Sequence, residues 1–433
     1  MANNKPRRTQ AYYWPKHGFY TRAADGEWIN TDKETLRMKL IRAGFASEKD
    51  AQRLSPASNA MLDVIEKNNV RYAGPLAGHT AGMKDLCGFR VLVTSSPKVI
   101  EPSRGKLPLW QEIIETQFGE AQGYYLTWLK AAWQRVRAGG GPMLPALILA
   151  GKPDVAKSLS QNHLITPLLG GRMAKPWRYW TGETTFNEDL CGAEHLMLED
   201  EVGVVKQEKK RLFGDGLKAA VANETTSLHP KGDKAITTKC VWAITASTNL
   251  EPQNLRTFPL HDGTLSDKLM VLMVRERPGC LPAPDDYAGF IKFTARLHAE
   301  LPALAAFLHK YEPEEKFRGK QRSLVAPWRE PEIMELVSED DAAPKLLWLI
   351  DEFRLLEVEL PSGAKTLQAR SLTSMELERE LASAKTNGQA ERLLGRMSMG
   401  YLLREVAKRF PARVEKDGDA HNHITKWIIR PEA

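Results

Sequence analysis

The stretch LPALILAGKPDVAKSLSQNHLITPLL constrains the fold of this 433-residue chain more than any other segment. An apolar run leads to Gly151, and Ala156, Lys157 and Ser158 then open a stretch with helical spacing. A strand, a tight turn and a helix in this order can bind phosphate, because N–H groups at the helix start face the anion. The usual glycine before the lysine is replaced by Ala156. The motif alone therefore leaves a nucleotide site and an ordinary strand-turn-helix equally open.

An acidic cluster follows about forty residues later, as a nucleotide site requires. The segment AEHLMLEDEVG predicts an apolar strand that ends in Glu199, Asp200 and Glu201. Carboxylates at the end of a neighbouring strand can hold Mg²⁺ and activate a water molecule. A charged turn that merely closes a strand is the alternative interpretation.

A third strand end carries polar side chains. In CVWAITASTNLEP a buried strand runs into Ser247, Thr248 and Asn249. An amide at this edge of a parallel sheet can orient the attacking water between the γ-phosphate and the acidic strand. Asparagine after a strand is also a common turn residue, so Asn249 gains weight only from the other two motifs.

Taken together, GKPDVAKS, AEHLMLEDE and SLHPKGDKAITTKCVWAITASTN resemble the successive motifs of the superfamily 3 helicases. These are AAA+ ring motors of small DNA viruses, phages and plasmids. The resemblance covers residues 141 to 275, and ETTSLHPKGDKAITTKC matches the β-hairpin that precedes the third motif strand in the family. The flanking segments TPLLGGRMAKPW, TTFNEDL and RLFGDGLK further resemble replication proteins of phages and mobile elements in that superfamily.

The resemblance implies a role for each matching residue. The ATP-binding set would be Gly151, Asp154, Ala156, Lys157 and Ser158, with Mg²⁺ held by Ser158 and Asp200. The catalytic set would be Glu199, Asp200, Glu201, Asn249, Lys268 and Arg256. The DNA-binding set at the hairpin would be His229, Lys231 and Lys234, for which a solvated hairpin tip is the alternative.

The arginine finger of the family departs from its usual residue. The segment GTLSDKLMVLMV has Lys268 where the resemblance expects the arginine that a neighbouring subunit's ATP would contact, and Arg256 is a substitute candidate. Lysine lacks the planar fork that binds phosphate in two places. Ala156 and Lys268 together therefore predict either slow hydrolysis or a motor that binds ATP and hydrolyses it poorly.

The rest of the chain predicts several domains. We expect a mixed α/β N-terminal domain, a helical segment with a glycine-rich linker, an AAA+ P-loop core of the superfamily 3 type, a helical extension, and a C-terminal helical and winged-helix domain. Their predicted ranges are 1–105, 106–140, 141–290, 291–330 and 331–433. In the N-terminal part, FYTRAADGEWINT predicts a hairpin, and 107–137 predicts one or two amphipathic helices.

Composition narrows the class of protein. The formal charge of +7 and pI of about 9.0 suit a polyanion partner, although such a surplus is common elsewhere. The four cysteines form no close pair, so the sequence suggests neither a zinc site nor a disulfide framework. The apolar runs are too short to cross a membrane, and the N-terminal stretch lacks a secretory signal, so we expect a cytoplasmic protein.

The sequence thus favours an ATP-dependent DNA helicase or translocase that needs ATP and Mg²⁺. The expected partners are single-stranded or forked DNA, further copies of the chain in a ring, which the resemblance implies to be a hexamer, and a separate primase or origin-binding protein. One alternative is a DNA-binding initiator or scaffold on an AAA+ frame with little or no ATPase activity. Another is an AAA+ regulator acting on protein, which would leave the cationic hairpin unexplained.

Overall fold

The computed structural model describes most of the chain. The described residues are 10–48, 54–199, 207–239, 241–260, 263–320, 323–339, 342–361, 363–384, 386, 388–394, 398–420 and 424–431. The chain divides into two compact units, residues 1–333 and 334–433. Within the described ranges, no helix is both long and apolar enough to span a bilayer.

The N-terminal part contains two small sheets and two helices. Its elements are β1 (Ala11–Trp14), β2 (Gly18–Arg22), β3 (Trp28–Thr31), α1 (Lys33–Arg42), α2 (Pro56–Lys67), β4 (Tyr72–Gly74), β5 (Gly82–Leu86) and β6 (Phe89–Val93). The predicted hairpin is confirmed, because β2 and β3 pair antiparallel around the Asp-Gly turn. Asp32 begins α1 by accepting the N–H of Thr35 at 2.8 Å, a standard N-cap.

Two helices connect this part to the central sheet. They are α3 (Pro108–Phe118) and α4 (Gln122–Arg137), which confirms the helical prediction for 107–137. Trp128 and Trp133 are buried, with 0% and 3% exposure. The indole of Trp128 donates to the carbonyl of Pro145 at 2.7 Å and so fixes α4 beside the start of the next strand.

A parallel five-stranded sheet forms the centre of the first unit. Its strands and the elements between them are β7 (Ala146–Gly151), α5 (Lys157–Leu159), α6 (Thr166–Leu168), β8 (Met173–Ala174), α7 (Trp177–Trp180), α8 (Glu188–Cys191), β9 (His195–Leu198), α9 (Gln207–Ala222), β10 (Thr225–Leu228), β11 (Ile236–Lys239), β12 (Ala243–Thr248), α10 (Pro252–Leu255) and β13 (Leu269–Val274). The strand order is β13–β7–β12–β9–β8, and every neighbouring pair is parallel. A π-helical stretch, Ser160–Ile165, joins α5 to α6, so residues 157–168 form one continuous helical segment.

The strand order decides which strand ends meet. In the register of β7 with its neighbours, Ala150 pairs with Thr248 and Gly151 pairs with Val274. The carboxyl end of β7 therefore lies between the ends of β12 and β13. In an open parallel sheet, this edge is where ligands bind.

A long helix follows the sheet. This helix, α11 (Tyr287–Lys310), is followed by α12 (Pro331–Glu339). The buried side chains of α11 pack in the same hydrophobic cluster as those of α3 and α4.

The predicted hairpin before the third motif strand is confirmed, since β10 and β11 pair antiparallel.

The second unit is a helical domain with a small antiparallel sheet. Its elements are α13 (Ala342–Glu352), β14 (Glu357–Glu359), β15 (Lys365–Leu367), β16 (Arg370–Thr373), α14 (Ser374–Ser383), α15 (Gln389–Leu394), α16 (Met399–Arg409), β17 (Val414–Ala420) and β18 (Ile424–Ile429). The sequence did not suggest the short, polar strands β14, β15 and β16. The sheet order is β16–β18–β17.

Candidate functional site

The loop between β7 and α5 begins at a glycine that the packing requires. A Cβ atom built on Gly151 would lie 2.5 Å from the carbonyl oxygen of Val274, which no side chain can tolerate. Gly151 thus lets the end of β13 approach the loop strand. The chain then turns through residues 152–156 and starts the helical segment at Lys157.

The loop backbone is left-handed at Ala156. This residue has φ 65° and ψ 34°, a conformation that costs an L-residue about 1–2 kcal/mol and that glycine adopts freely. Asp154 has φ 63° as well. Ala156 also packs against the main hydrophobic cluster, so the substitution strains the backbone in addition to adding a methyl group.

Lys157 is the most constrained side chain of the loop. It is 7% exposed, and its ammonium donates to the carbonyls of Gly151 at 2.9 Å and Lys152 at 2.7 Å. It also donates to Oδ1 of Asn249 at 2.8 Å. The structure therefore joins two residues that are 92 positions apart and that the sequence assigned to the same site. Each one's role in catalysis stays a prediction.

An open cavity of about 300 Å³ lies at this edge of the sheet. It is lined by Pro153, Asp154, Ala156, Lys157, Ser158 and Asn249. Ser158 and Asp154 are exposed there, while Lys157 brings a positive charge to its wall. A helix start and a lysine on one cavity favour an anionic ligand, because both stabilise negative charge.

The acidic strand end is only partly described. Glu199 directly follows β9, and its Oε2 accepts a hydrogen bond from Lys175 Nζ at 2.6 Å. Asp200 and Glu201 lie outside the described residues. The ion pair with Lys175, which the sequence did not suggest, orients Glu199 while leaving its carboxylate partly exposed.

Lys268 lies at the opposite edge of the sheet from the loop. It immediately precedes β13, and its carbonyl accepts the N–H of Ala146, at the start of β7. Its ammonium is buried and bonded to the carbonyl of Thr264 and to Asp267. To reach a neighbouring subunit's nucleotide it would have to leave both partners, and this position gives the predicted finger role no support. Arg256 follows α10, at the carboxyl end of β12. Burial lowers the pKa of the Lys210 amine, and the nearby positive charge of Arg256 lowers it further.

The hairpin β10–β11 separates its three predicted DNA contacts. Lys231 and Lys234 are exposed at the tip, in the turn between the strands. His229 lies in the same turn, directly after β10, where its N–H donates to Oδ1 of Asn187 at 2.7 Å and its Nδ1 lies 3.2 Å from the carbonyl oxygen of Thr185. The two lysines are exposed to a polyanion, whereas the histidine is half-buried.

The same tip contacts the turn between β1 and β2. Nε2 of His17 lies 2.6 Å from Oδ2 of Asp233, and Lys16 donates to the carbonyl of Gly232 at 3.3 Å. The sequence offered no signal for this contact, because it joins segments 216 residues apart. It fixes the orientation of the tip relative to the N-terminal sheet.

A buried polar network supports the sheet behind the loop. His195 on β9 is fully buried, with Nδ1 at 2.7 Å from Oγ1 of Thr166 and Nε2 at 2.8 Å from Oγ1 of Thr245. Gln161 donates to the same Thr245 oxygen at 2.7 Å. Burial lowers the pKa of His195 to about 3, so the imidazole is neutral at physiological pH. The network connects the helical segment after the loop to β9 and β12.

Gln117 is a further residue that the sequence did not reveal. It lies near the end of α3, is fully buried, and donates from Nε2 to the carbonyls of Val155 at 2.9 Å and Ala156 at 3.3 Å. A glutamine within an amphipathic helix carries no local signal of such a contact. Its partner is identified by the tertiary structure alone.

Comparison with known proteins reveals structural similarity only. No family model matches the sequence, and no curated protein matches it. Among solved structures, the chain is similar to an A-form apo structure of the NrS-1 C-terminal region, with a TM-score of 0.55 and 12% identity over 98% of this chain and 96% of that one. A second apo structure of that region gives a TM-score of 0.56 and 11% identity over 97% and 96%. At such identities the likeness shows a shared fold and leaves function to the site itself.

Proposed function

We propose that the protein is an ATP-dependent DNA helicase or translocase of a phage-type or mobile-element replication system. The observation that carries this proposal is the position of Lys157. Its ammonium lies in the wall of the cavity, between the loop carbonyls and Asn249. ATP phosphates entering the cavity would replace these neutral oxygens as partners of the lysine, which is the exchange expected of a phosphate-binding loop.

The sheet supports an AAA+ P-loop core. The strand that precedes the loop lies between β12 and β13, and β9 is the next strand beyond β12. The polar end of β12 therefore stands between the loop and the acidic strand end, where a residue that orients water is needed. The three strand ends meet at one edge, as the motif resemblance requires.

The residues at the cavity fit a Mg²⁺ ion in part. The Ser158 hydroxyl lines the cavity and is a hard oxygen ligand of the kind that Mg²⁺ prefers. Among the described residues, no group of three or more histidine, cysteine or acidic side chains forms a metal site. In this proposal Ser158 and Asp200 would hold Mg²⁺, which would supply positive charge to offset the charge of the phosphates.

The charge distribution favours the first unit for contact with DNA. Residues 334–433 contain 15 lysines and arginines against 17 acidic residues, so the positive surplus of the chain lies in residues 1–333. Lys231 and Lys234 are exposed there on the hairpin tip. We infer that they bind the phosphates of single-stranded DNA without reading its sequence.

The sheet order β16–β18–β17 beside α13, α14 and α16 agrees with a winged-helix domain in the second unit.

The second candidate function is a DNA-binding initiator or scaffold that binds nucleotide without hydrolysing it. The left-handed Ala156 and the buried Lys268 favour this alternative. Both proposals require an occupied nucleotide site, and they differ in turnover.

ATP hydrolysis with and without single-stranded DNA separates the two functions. We expect DNA-stimulated hydrolysis that Lys157→Ala abolishes and that the double variant Lys231→Ala, Lys234→Ala uncouples from DNA. Lys239→Ala is the matched control, because Lys239 is exposed on the stem of the same hairpin. Nucleotide binding without turnover above that of Lys157→Ala would favour the scaffold, and absence of nucleotide binding would contradict both.

A further inference from the structure

We propose that Gln117 is a positioning residue that holds the 155–157 segment in its anion-binding conformation and offsets the replacement of glycine by Ala156. The inference rests on the proposed nucleotide site for its functional consequence. Gln117 lies on a helix outside the motif-bearing region, 38 residues before its first loop partner. Its effect on nucleotide would pass through the loop, since it does not line the cavity.

Two side chains donate hydrogen bonds to the backbone carbonyls of the loop. Those of Gly151 and Lys152 accept bonds from Lys157, and those of Val155 and Ala156 accept bonds from Nε2 of Gln117. The lysine contacts must loosen when the ammonium turns to a phosphate. The glutamine is neutral and buried, so its contacts persist in both states.

The geometry of the peptide bond determines where the N–H groups of the loop point. In a trans peptide, the C=O of one residue and the N–H of the next point in opposite directions. Holding the carbonyls of Val155 and Ala156 against buried Gln117 therefore turns the N–H groups of Ala156 and Lys157 away from the core. These two N–H groups are then directed as an anion at the helix start needs.

Gln117 also opposes relaxation of the strained backbone at Ala156. Ala156 in the left-handed region would lower its energy by relaxing to a right-handed or extended conformation, which rotates both adjoining peptide planes. Such a rotation would bring a carbonyl oxygen toward the phosphates. It is opposed by Gln117, because the buried carbonyl of Val155 would lose its donor, at a cost of about 1–3 kcal/mol for an unsatisfied group. The Ala156 carbonyl would at the same time leave both Gln117 and the N–H of Leu159, which it accepts at 3.1 Å.

Gln117 is itself held in place on its other side. Its Oε1 accepts the Ser160 hydroxyl at 3.0 Å, and its backbone carbonyl accepts the N–H of Arg275 at 3.0 Å, just after β13. The amide orientation is thereby fixed, since the oxygen faces a hydroxyl donor and the nitrogen faces two carbonyl acceptors. The end of α3, the loop and the end of β13 form one connected unit.

The test compares Gln117→Met with Gln111→Met in the full chain. Methionine preserves the length and burial of the side chain but removes the donor. Gln111 lies on the same helix but is exposed, where it bonds to Glu115, so its substitution controls for a general effect on α3. The readouts are the Kd for Mg-ATP, the split between KM and kcat, and amide hydrogen exchange of residues 151–160 without nucleotide.

We expect Gln117→Met to raise the Kd and KM for ATP about tenfold and to accelerate exchange in the loop, with single-stranded DNA binding unchanged. Ala156→Gly should restore most of the affinity in the Gln117→Met background, because glycine needs no brace to adopt φ near 65°. A purely structural role for Gln117 predicts no such specific rescue.

Two results would overturn the inference. One is a Gln117→Met protein whose loop exchange and nucleotide affinity stay within twofold of the natural chain. The other is a loss of affinity that Ala156→Gly does not relieve. If the natural chain binds no nucleotide, the proposed function fails, whereas the exchange data still decide whether Gln117 holds the loop.

Discussion

The contact between Lys157 and Asn249 makes nucleotide binding sensitive to one charge. Replacing Asn249 with aspartate keeps the shape of the side chain and places a carboxylate 2.8 Å from the buried ammonium. The gross attraction at that distance is about 6 kcal/mol for an effective dielectric constant of 20, most of which is offset by desolvation. An opposite charge this close stabilises a carboxylate by about one to three pKa units, which corresponds to about 1.4 kcal/mol or more.

This increment sets the expected size of the effect. ATP would have to displace a stronger lysine contact and then accommodate its phosphates beside a new negative charge. We therefore expect Asn249→Asp to raise the Kd for Mg-ATP by about tenfold or more, since 1.4 kcal/mol corresponds to a factor of ten. Calorimetry or a fluorescent nucleotide measures this directly.

Two comparisons sharpen the experiment. Asn223→Asp adds the same charge at an exposed position after α9 and should leave the Kd unchanged. Asn249→Ala should instead preserve binding, because Lys157 retains two carbonyl partners, and lower kcat if Asn249 orients the attacking water. An Asn249→Asp protein that binds ATP within twofold of the natural chain would refute the view that Lys157 exchanges partners on binding.

Two further predictions concern the strained loop and the buried histidine. Ala156→Gly should stabilise the first unit by about 0.5–1 kcal/mol, since relief of the left-handed strain exceeds the added entropy of the unfolded chain; urea unfolding measures this, and net destabilisation would contradict it. Burial lowers the pKa of His195 to about 3, so the unfolded state binds an additional proton between that value and about 6.5. The contribution of His195 to the free energy of unfolding is therefore fully present above pH 6.5 and is lost as the pH falls below that value. The loss is about 1.4 kcal/mol per pH unit and amounts to about 2 kcal/mol between pH 7.5 and 5. Urea unfolding at both pH values should show this slope in the natural chain and a shallower one in His195→Asn, and equal slopes would refute the assignment.

The sequence determined the local elements of the site. Strand, turn and helix around Gly151 and Lys157 follow from an apolar run, turn residues and helical periodicity, all of which act over a few positions. The polar ends of β9 and β12 were predicted for the same reason, whereas the hairpin β10–β11 was predicted from the motif resemblance. The catalytic, metal-binding and DNA-binding roles drawn from the motif resemblance stay predictions.

The tertiary structure decided how these elements act on one another. The strand order placed Asn249 beside Lys157, and the packing of α3 brought Gln117 to the loop carbonyls. The left-handed backbone of Ala156 also depends on these distant contacts, because local preference alone opposes it. Periodicity records which face of an element is buried, whereas the partner that covers that face is set by long-range packing, for which a single sequence carries no local signal.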